Sequence, residues 1–430
     1  MKLSSLLVCL IVMLLGNNSY AREYTLERSA LYQIGELVPD SSPDLHVMGN
    51  DRLILNFNRV GQNEQVALIN DKGETLLETK PTYFTVYSFN KEILAVQTEF
   101  KITIYNKNGD VLREIPTVKK VQFHQLYVLE NNYIVGITSD AQSDTESRLT
   151  IFNDQAELVN DSTIIRQSDF GDYQVVLDAD RKSFVLVSQN FKMNDQEGKI
   201  YRISIEGQTL SEATVEYTLR NELPLVMNNK NIFLTADNTR DCGSFFPITE
   251  KYYLYKVTNH KVQDVLTIKG SGIRLVYKFA NENFLLYGQN KDLEKTIYFL
   301  NNEGRKLSEF RLENEPMRAK DDGKNNVNLF LSYSGNSVIK INASTGDMVK
   351  QISGNRMLYS QADGKIIFQA DNQDQTGTVY DIDFNPIGTI SISGLLHEYN
   401  NHFVEYKNGR VDLRKDKDTK LTSIYYSELK

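Results

Sequence analysis

The chain has no tryptophan, two cysteines, eight prolines and five histidines among its 430 residues. Each shortage removes a class of solution. Cys9 lies in an apolar run at the very start, so a mature chain without that run keeps Cys242 alone and has no intramolecular disulfide to hold it. Stability then has to come from burial, and a chain of about 400 residues covers about three quarters of the surface it exposes when unfolded. Basic residues are outnumbered, 48 Lys and Arg against 56 Asp and Glu, for a formal charge of -8. Nucleic acid is therefore not expected as the main partner, because phosphate recognition needs a basic face. Beyond the first 21 residues no stretch approaches the ~18 uninterrupted apolar residues of a membrane span, so no span is expected. Catalytic signatures are missing as well: there is no G-x-S-x-G elbow, P-loop, dinucleotide fingerprint or zinc spacing.

What is present begins with an address. Lys2, the apolar run 6–15 and Ser19-Tyr20-Ala21, with small residues at the two positions a signal peptidase needs, predict a secretory signal peptide over residues 1–21. Arg22 is then the mature start, and the fate is periplasmic or extracellular. Cys9 sits inside the apolar run rather than at the cleavage site, which argues against lipid attachment through it.

The clearest local pattern is KITIYNKNGDVLREI at 101–115, two alternating apolar runs joined by a Gly-containing turn, which predicts a β-hairpin. Variants of it recur from Pro43 onward in units of about 35 to 50 residues, each with two short apolar runs, a polar gap and the hairpin. The first unit reads RLILNF then VALINDKGETLLE, the fourth SFVLVS then YRISIEGQTLSEATV, and the ninth HFVEYK then RVDLRKDKDTKLTSIYY. Helical periodicity is almost absent, and β-branched and aromatic residues fill the runs. The fold class is all-β. Four strands per unit, repeated radially, bury their faces against their neighbours, which is the β-propeller arrangement. Nine units are countable, but propellers typically carry about four to eight blades. Eight blades are favoured, with seven and nine open, and the irregular stretch 312–324 or the C-terminal end is where a unit is misread. Residues 43–430 form the propeller in this reading. Residues 22–42 form an N-terminal arm that either lies on the surface or adds a strand to the last blade.

This repeat resembles the broad group of exported β-propeller proteins termed PQQ-like or WD40-like by fold, over essentially the whole mature chain. The motifs that carry the resemblance are alternating runs and Asn/Asp/Gly turns. Without tryptophan the chain lacks the Trp-Asp ending of WD40 blades, the tryptophan docking motif of quinoprotein dehydrogenases and the Asp-box of sialidase-like blades. The resemblance implies architecture, not activity.

In such blades the loop between the second and third strands shares a rim with the connection to the next blade. Five of those loops are long and polar: 139–147, 189–199, 235–251, 288–295 and 370–377. Their acids are Asp140, Asp144, Glu146, Asp195, Glu197, Asp237, Asp241, Asp292, Glu294, Asp371 and Asp374, against Lys192, Lys199, Arg240, Lys251, Lys291 and Lys295. An acidic rim suits a basic partner or supplies scattered oxygen ligands for Ca²⁺; the simpler reading is a set of solvated edge loops. DIDFNPIG at 381–388 starts like a calcium loop, yet Ile392 stands where the bidentate Glu belongs, so a hairpin turn is expected there.

Other candidates are weaker. His46 and His397 fall at equivalent places in the first and last units and, with Glu398, are candidates for a metal or acid/base site. Tyr87, Tyr127, Tyr277 and Tyr359, with Tyr399 nearby, recur at the end of the inner strand as either a ligand lining or packing between blades. Cys242 has no local base and is expected to be inert. The reading that results is an exported binding or scaffold module. It uses the acidic loop rim for a protein partner or surface ligand and has no cofactor beyond possible Ca²⁺. Its alternative is a hydrolase or lyase at the channel mouth, resting on His46, Asp178, Asp321, His397 and Glu398. Oligomeric state is not legible.

Overall fold

The computed structural model describes residues 22–24, 26–35, 44–49, 52–59, 61–70, 72–80, 85–98, 101–116, 123–139, 146–166, 173–188, 197–219, 223–238, 251–322, 324–331, 337–353, 357–362, 365–370, 376–391, 395–399, 402–407 and 422–429. There is no helix among them. The short apolar runs have a simple cause. Ser183–Ser188 is buried at every residue: Phe184 and Leu186 point into one cluster with Leu149, Ile151 and Ile203, while Val185 and Val187 point into another with Leu234, Ala236 and Val257. A strand whose alternating side chains meet two covered faces reads as an unbroken apolar run.

Four such strands in chain order make each blade, paired antiparallel from the inside outward. Blade 1 is Asp44–Met48, Arg52–Asn58, Glu64–Asn70 and Thr75–Glu78. Blade 2 is Thr85–Phe89, Ile93–Thr98, Lys101–Asn106 and Val111–Pro116. Blade 3 runs from Gln125–Val128 out to Leu158–Arg166, and blade 4 from Tyr173–Leu177 out to Thr209–Val215. Blades 5 and 6 are fused. The single strand Lys261–Lys278 is the outer strand of one and the inner strand of the other, giving an eight-stranded sheet. Blade 7 begins with Pro316–Asp321, inside the stretch that looked irregular in sequence, and blade 8 with Met357–Ala362. The last sheet holds Leu395–Tyr399, His402–Lys407 and Thr422–Leu429, and its fourth strand is the N-terminal Leu26–Gly35. Nine units thus occupy eight sheets.

The protein is a β-propeller of four-stranded antiparallel blades. From blade 1 to blade 8 each neighbouring pair shares an apolar cluster, such as Ile54 and Leu68 with Leu94 and Val96 at the first interface, or Phe330 and Val338 with Ile366 and Phe384 at the last of these. The N-terminal segment ties the ends of the chain together. Besides completing the last sheet, it places Arg22–Tyr24 parallel to Pro386–Ser391 as a fifth strand of blade 8.

The recurring outer hairpin has one chemical plan. In blade 2 the Asn106 side-chain Oδ1 accepts the N–H groups of Asn108 (2.8 Å) and Asp110 (3.0 Å), and Gly109 takes φ +82°. Asn70, Asn153, Asn301 and Asp381 do the same in blades 1, 3, 6 and 8. An Asn or Asp that hydrogen-bonds its own following backbone fixes a tight turn, and the left-handed residue adds the bulge that matches the strand twist. The hairpin also docks. A Cβ on Gly109 would lie 2.4 Å from the Leu76 carbonyl oxygen in the outer strand of blade 1, and Arg52 Nε donates to the Lys107 carbonyl at 2.8 Å. Gly109→Ala is expected to lose at least about 1–2 kcal/mol, from left-handed strain plus displacement of blade 1. Ala156→Gly, at φ +59° in the equivalent turn, should cost less. Urea midpoints check both, and a Gly109→Ala protein as stable as the parent would rule out the docking.

Candidate functional site

An antiparallel blade sends its first-to-second and third-to-fourth turns to one end and its second-to-third loops, with the links between blades, to the other. The turn end is closely tied. Asp178, in the first turn of blade 4, pairs with Arg202 of the third strand at 2.7 Å, with the two side chains 0% and 5% exposed. Asp178 also accepts the Ala179 N–H (2.7 Å) and the Ser183 hydroxyl (3.2 Å), while Arg202 Nη2 donates to the Lys230 carbonyl of blade 5 at 3.0 Å. Blade 7 repeats the device with a lysine. Lys340 pairs with Asp322 at 3.2 Å and donates to the Ile382 carbonyl of blade 8, over the Phe384 ring. Lys256 reaches the Glu303 carbonyl of blade 6 from the same strand position. Turn-to-turn bonds continue the belt: Asn90 to the Leu129 carbonyl (2.6 Å), Asn131 to the Arg181 carbonyl (3.1 Å), and Glu282 accepting the Asn228 N–H (2.6 Å). Groups committed in this way have their hydrogen-bonding capacity spent on neighbours.

The opposite rim is built differently. At the strand ends that flank segments 139–147 and 189–199 of blades 3 and 4 lies a polar shelf that the sequence alone does not reveal. The Tyr127 hydroxyl lies within hydrogen-bonding reach of Gln125 Oε1 and the Tyr173 carbonyl; the Tyr173 N–H donates to Gln125 Oε1 at 3.1 Å and its hydroxyl to Ser147 Oγ at 2.6 Å. The Ser188 hydroxyl donates to the Arg166 carbonyl at 3.0 Å, and the Arg166 guanidinium meets Glu197 at 3.5 Å. Ser147 and Glu197 stand at the roots of loops 139–147 and 189–199. At the longest loop, Asn238 and Lys251 exchange bonds that close its base, the Lys251 N–H donating to Asn238 Oδ1 at 2.7 Å. Just beneath, Tyr217, Tyr253 and Tyr255 form a stacked ladder, with centroids 4.6 and 5.6 Å apart. Burial, the bond to Tyr217 and the nearby Asp264 and Glu216 push the Tyr253 hydroxyl up to about 12, so it stays a proton donor at neutral pH. The spacing Tyr253-x-Tyr255 on one strand face was the available signal.

No protein-family model matches the chain, and no curated protein matches it in sequence. Solved structures do. BamB from Moraxella catarrhalis is 9% identical, covering 80% of this chain and 97% of that one at a TM-score of 0.41. The dihydro-heme d1 dehydrogenase NirN in complex with DHE is 11% identical, over 84% and 78% at 0.45, and the Dos1 propeller 10% identical, over 69% and 79% at 0.45. At these values the likeness is one of layout and lends this chain no residue, ligand or partner.

Of the sequence candidates, Asp292 lies exposed in the turn 290–295 of blade 6, its N–H donated to Asn290 Oδ1 at 3.0 Å, beside Glu294, which pairs with Arg311 at 2.8 Å. Asp140, Asp144, Asp195, Asp241, Asp371, Asp374 and Cys242 lie outside the described residues. Tyr87 packs 5.9 Å from His46, and burial together with Asp44 and Glu64 pushes its hydroxyl up to about 12, against a hydrogen bond from Asn56. His46 also meets Phe89 at 5.5 Å. Tyr277 stacks edge-on to Phe279 at 5.1 Å, and burial and hydrogen-bonded Asp321 of blade 7 raise its hydroxyl. Tyr359, Tyr399, His397 and Glu398 lie on the inner strands Met357–Ala362 and Leu395–Tyr399, with their side chains outside the described residues. Among the described residues no group of three or more His, Cys, Asp or Glu side chains is placed to hold a metal, and no helix is long and apolar enough to cross a membrane.

The turn-end carboxylates set an acid response. Burial opposes ionisation of Asp322, but the Asn326 amide, the Lys324 N–H (2.7 Å) and the Lys340 ammonium outweigh it and hold the carboxyl below its ordinary range. Such a group adds stability that is complete above the unfolded value of about 3.9 and is lost as pH falls through the lower folded value. Urea midpoints should hold from about pH 7 to 5 and fall below about pH 4. Asp322→Asn should be less stable at neutral pH, because Lys340 loses its buried carboxylate and keeps only the exposed Asp383 at 3.6 Å and the Ile382 carbonyl, and should show a shallower acid fall. An unchanged acid slope in that variant would contradict this role.

Proposed function

We propose that this propeller is an exported binding or scaffold module that uses the rim of long acidic loops for a protein partner or surface ligand. The observation that carries the reading is the contrast between the two ends. Short turns bonded to their neighbours occupy one end, and the described roots of three of the long polar segments, at Ser147, Glu197, Asn238 and Lys251, stand at the other. Long loops held on a rigid scaffold are where binding surfaces are usually carried. The excess of acid over base in those loops suits a basic partner, with attraction that salt screens. In this reading residues 43–430 form one propeller body and 22–42 its N-terminal arm. Export through a signal peptide fits the same picture.

The test uses a Gly–Lys peptide, which carries basic charge without apolar anchors. It should bind the full chain at low ionic strength and be released as salt rises. Charge reversal in three loops, Asp140→Lys, Asp195→Lys and Asp371→Lys together, should weaken it by about tenfold or more. Binding that ignores the reversal, or none at low salt, would sink the rim reading. N-terminal sequencing of the protein from its source should begin at Arg22.

A further inference from the structure

A residue with a side chain resists the left-handed backbone, and where a bulky one adopts it some contact offsets the strain. Nine residues other than glycine adopt it among the described residues. The six polar ones each bond or pair with another part of the chain, as Arg181 does with the Glu130 carbonyl and Glu282 with the Asn228 N–H. Ala156 packs into the cluster between blades 2 and 3, and Phe384 is 2% exposed between blades 7 and 8. Leu293 is the exception. At φ +62° in the turn 290–295 of blade 6, its side chain is 65% exposed. Turns built on the same Asn plan carry glycine at this place, at Gly73, Gly109 and Gly304, so the strain was avoidable.

The turn holds this leucine in place. Asn290 Oδ1 accepts the Asp292 and Glu294 N–H groups at 3.0 and 2.9 Å, and the Leu293 N–H donates to the Asn290 carbonyl at 3.0 Å. The Lys291 N–H donates at 3.0 Å to the Lys269 carbonyl, on the strand that fuses blades 5 and 6. Two more exposed apolar side chains stand at the rim ends of the flanking blades: Leu223, 64% exposed before the inner strand of blade 5, and Met317, 47% exposed on that of blade 7. They differ from the exposed Leu112, Val159, Leu210, Leu307 and Val349, which recur just after the outer hairpin and belong to the repeat. Charge around the turn is balanced. Glu294 meets Arg311 at 2.8 Å and Glu315 meets Arg274 at 3.9 Å, leaving Lys291 beside Asp292. Such a surface has no net attraction for an anionic bilayer, and a knob on a tight turn needs a concave complement.

We propose that Leu293 is an apolar anchor of the rim, which enters a leucine-sized apolar pocket on a protein partner, and that Leu223 and Met317 border the same contact. A side chain fixed before binding loses little freedom on binding, and a few such anchors carry most of an interface's affinity. The inference rests on the reading of this end as the binding end. It adds an apolar determinant to the charge of the loops.

A diazirine-bearing leucine analogue in place of Leu293, in the full chain produced in its source, tests this, with the same analogue at Leu307 on the outer wall as the control. Irradiation should join position 293, and not 307, to one protein through an apolar side chain of that protein's surface. Leu293→Gly and Leu293→Asp should each weaken recovery of that protein by about tenfold or more. Leu293→Gly should also keep or raise the urea midpoint, because it relieves strain and removes no packing. A crosslink to lipid, to a second copy of this chain or to nothing would overturn the proposal, as would equal recovery by all three chains. A lower midpoint in Leu293→Gly would overturn it too, by showing that the leucine packs within its own chain. The charge reversal of the three loops separates the two readings: a crosslink that survives it while the Gly–Lys peptide ignores it removes the acidic-loop reading alone, and peptide binding lost by it without any crosslink at 293 removes the anchor alone.

Discussion

An antiparallel sheet of four short strands has two apolar faces and covers neither by itself. Every other feature of this protein follows from the need to press each face against the next blade. The second strands are buried and mostly apolar because both faces are inside, as at Ser183–Ser188, whereas the outer strand Thr209–Val215 is exposed at alternate residues over most of its length because only one face is still covered. The outer hairpin must be small and left-handed where it crosses the neighbouring blade, so glycine stands at 109 against Leu76. The same pressure makes polar groups at the interfaces expensive unless they are paired, and Arg202 and Lys340 each meet an aspartate and a carbonyl for that reason.

Much of this was legible in the chain. A signal of period two survives in short runs because alternation is local, and the Asn or Asp to Gly spacing of the hairpin is a four-residue pattern that no tertiary contact disturbs. The sutures at the turn end were not legible. Asp178 reads in sequence as a possible acid at the channel mouth, yet its partner Arg202 sits on the third strand of the blade in a run that otherwise reads as core. Pairing of that kind depends on blade register, which a sequence states only implicitly. The Gln125, Tyr173 and Ser147 shelf was hidden for the same reason, since its members come from three strands of two blades. Segment 288–295 reads as a long loop, yet strands Phe284–Asn290 and Lys295–Leu300 leave only a four-residue turn there, closed by Asn290 Oδ1, because the polar residues at both ends continue the ladder.

The two ends of the molecule divide the labour. At the turn end hydrogen bonds are consumed between blades, so little polar capacity is left for a ligand. At the rim the bonds among the described residues are spent at the loop roots. The sutures between blades and the bonds at the loop roots are thereby separated by the length of a strand.

Lys261–Lys278 gives this architecture an unequal grain. Other blades are separate sheets, so the backbone between them can in principle be cut and rejoined elsewhere without severing a ladder. Between blades 5 and 6 no such seam exists, because one strand is hydrogen-bonded on successive halves to both, and Gly270 lies so close to Gln289 and Asn290 that no side chain fits. The pair is therefore the indivisible module of the protein. Any rearrangement that adds, removes or reorders blades has to move these two together.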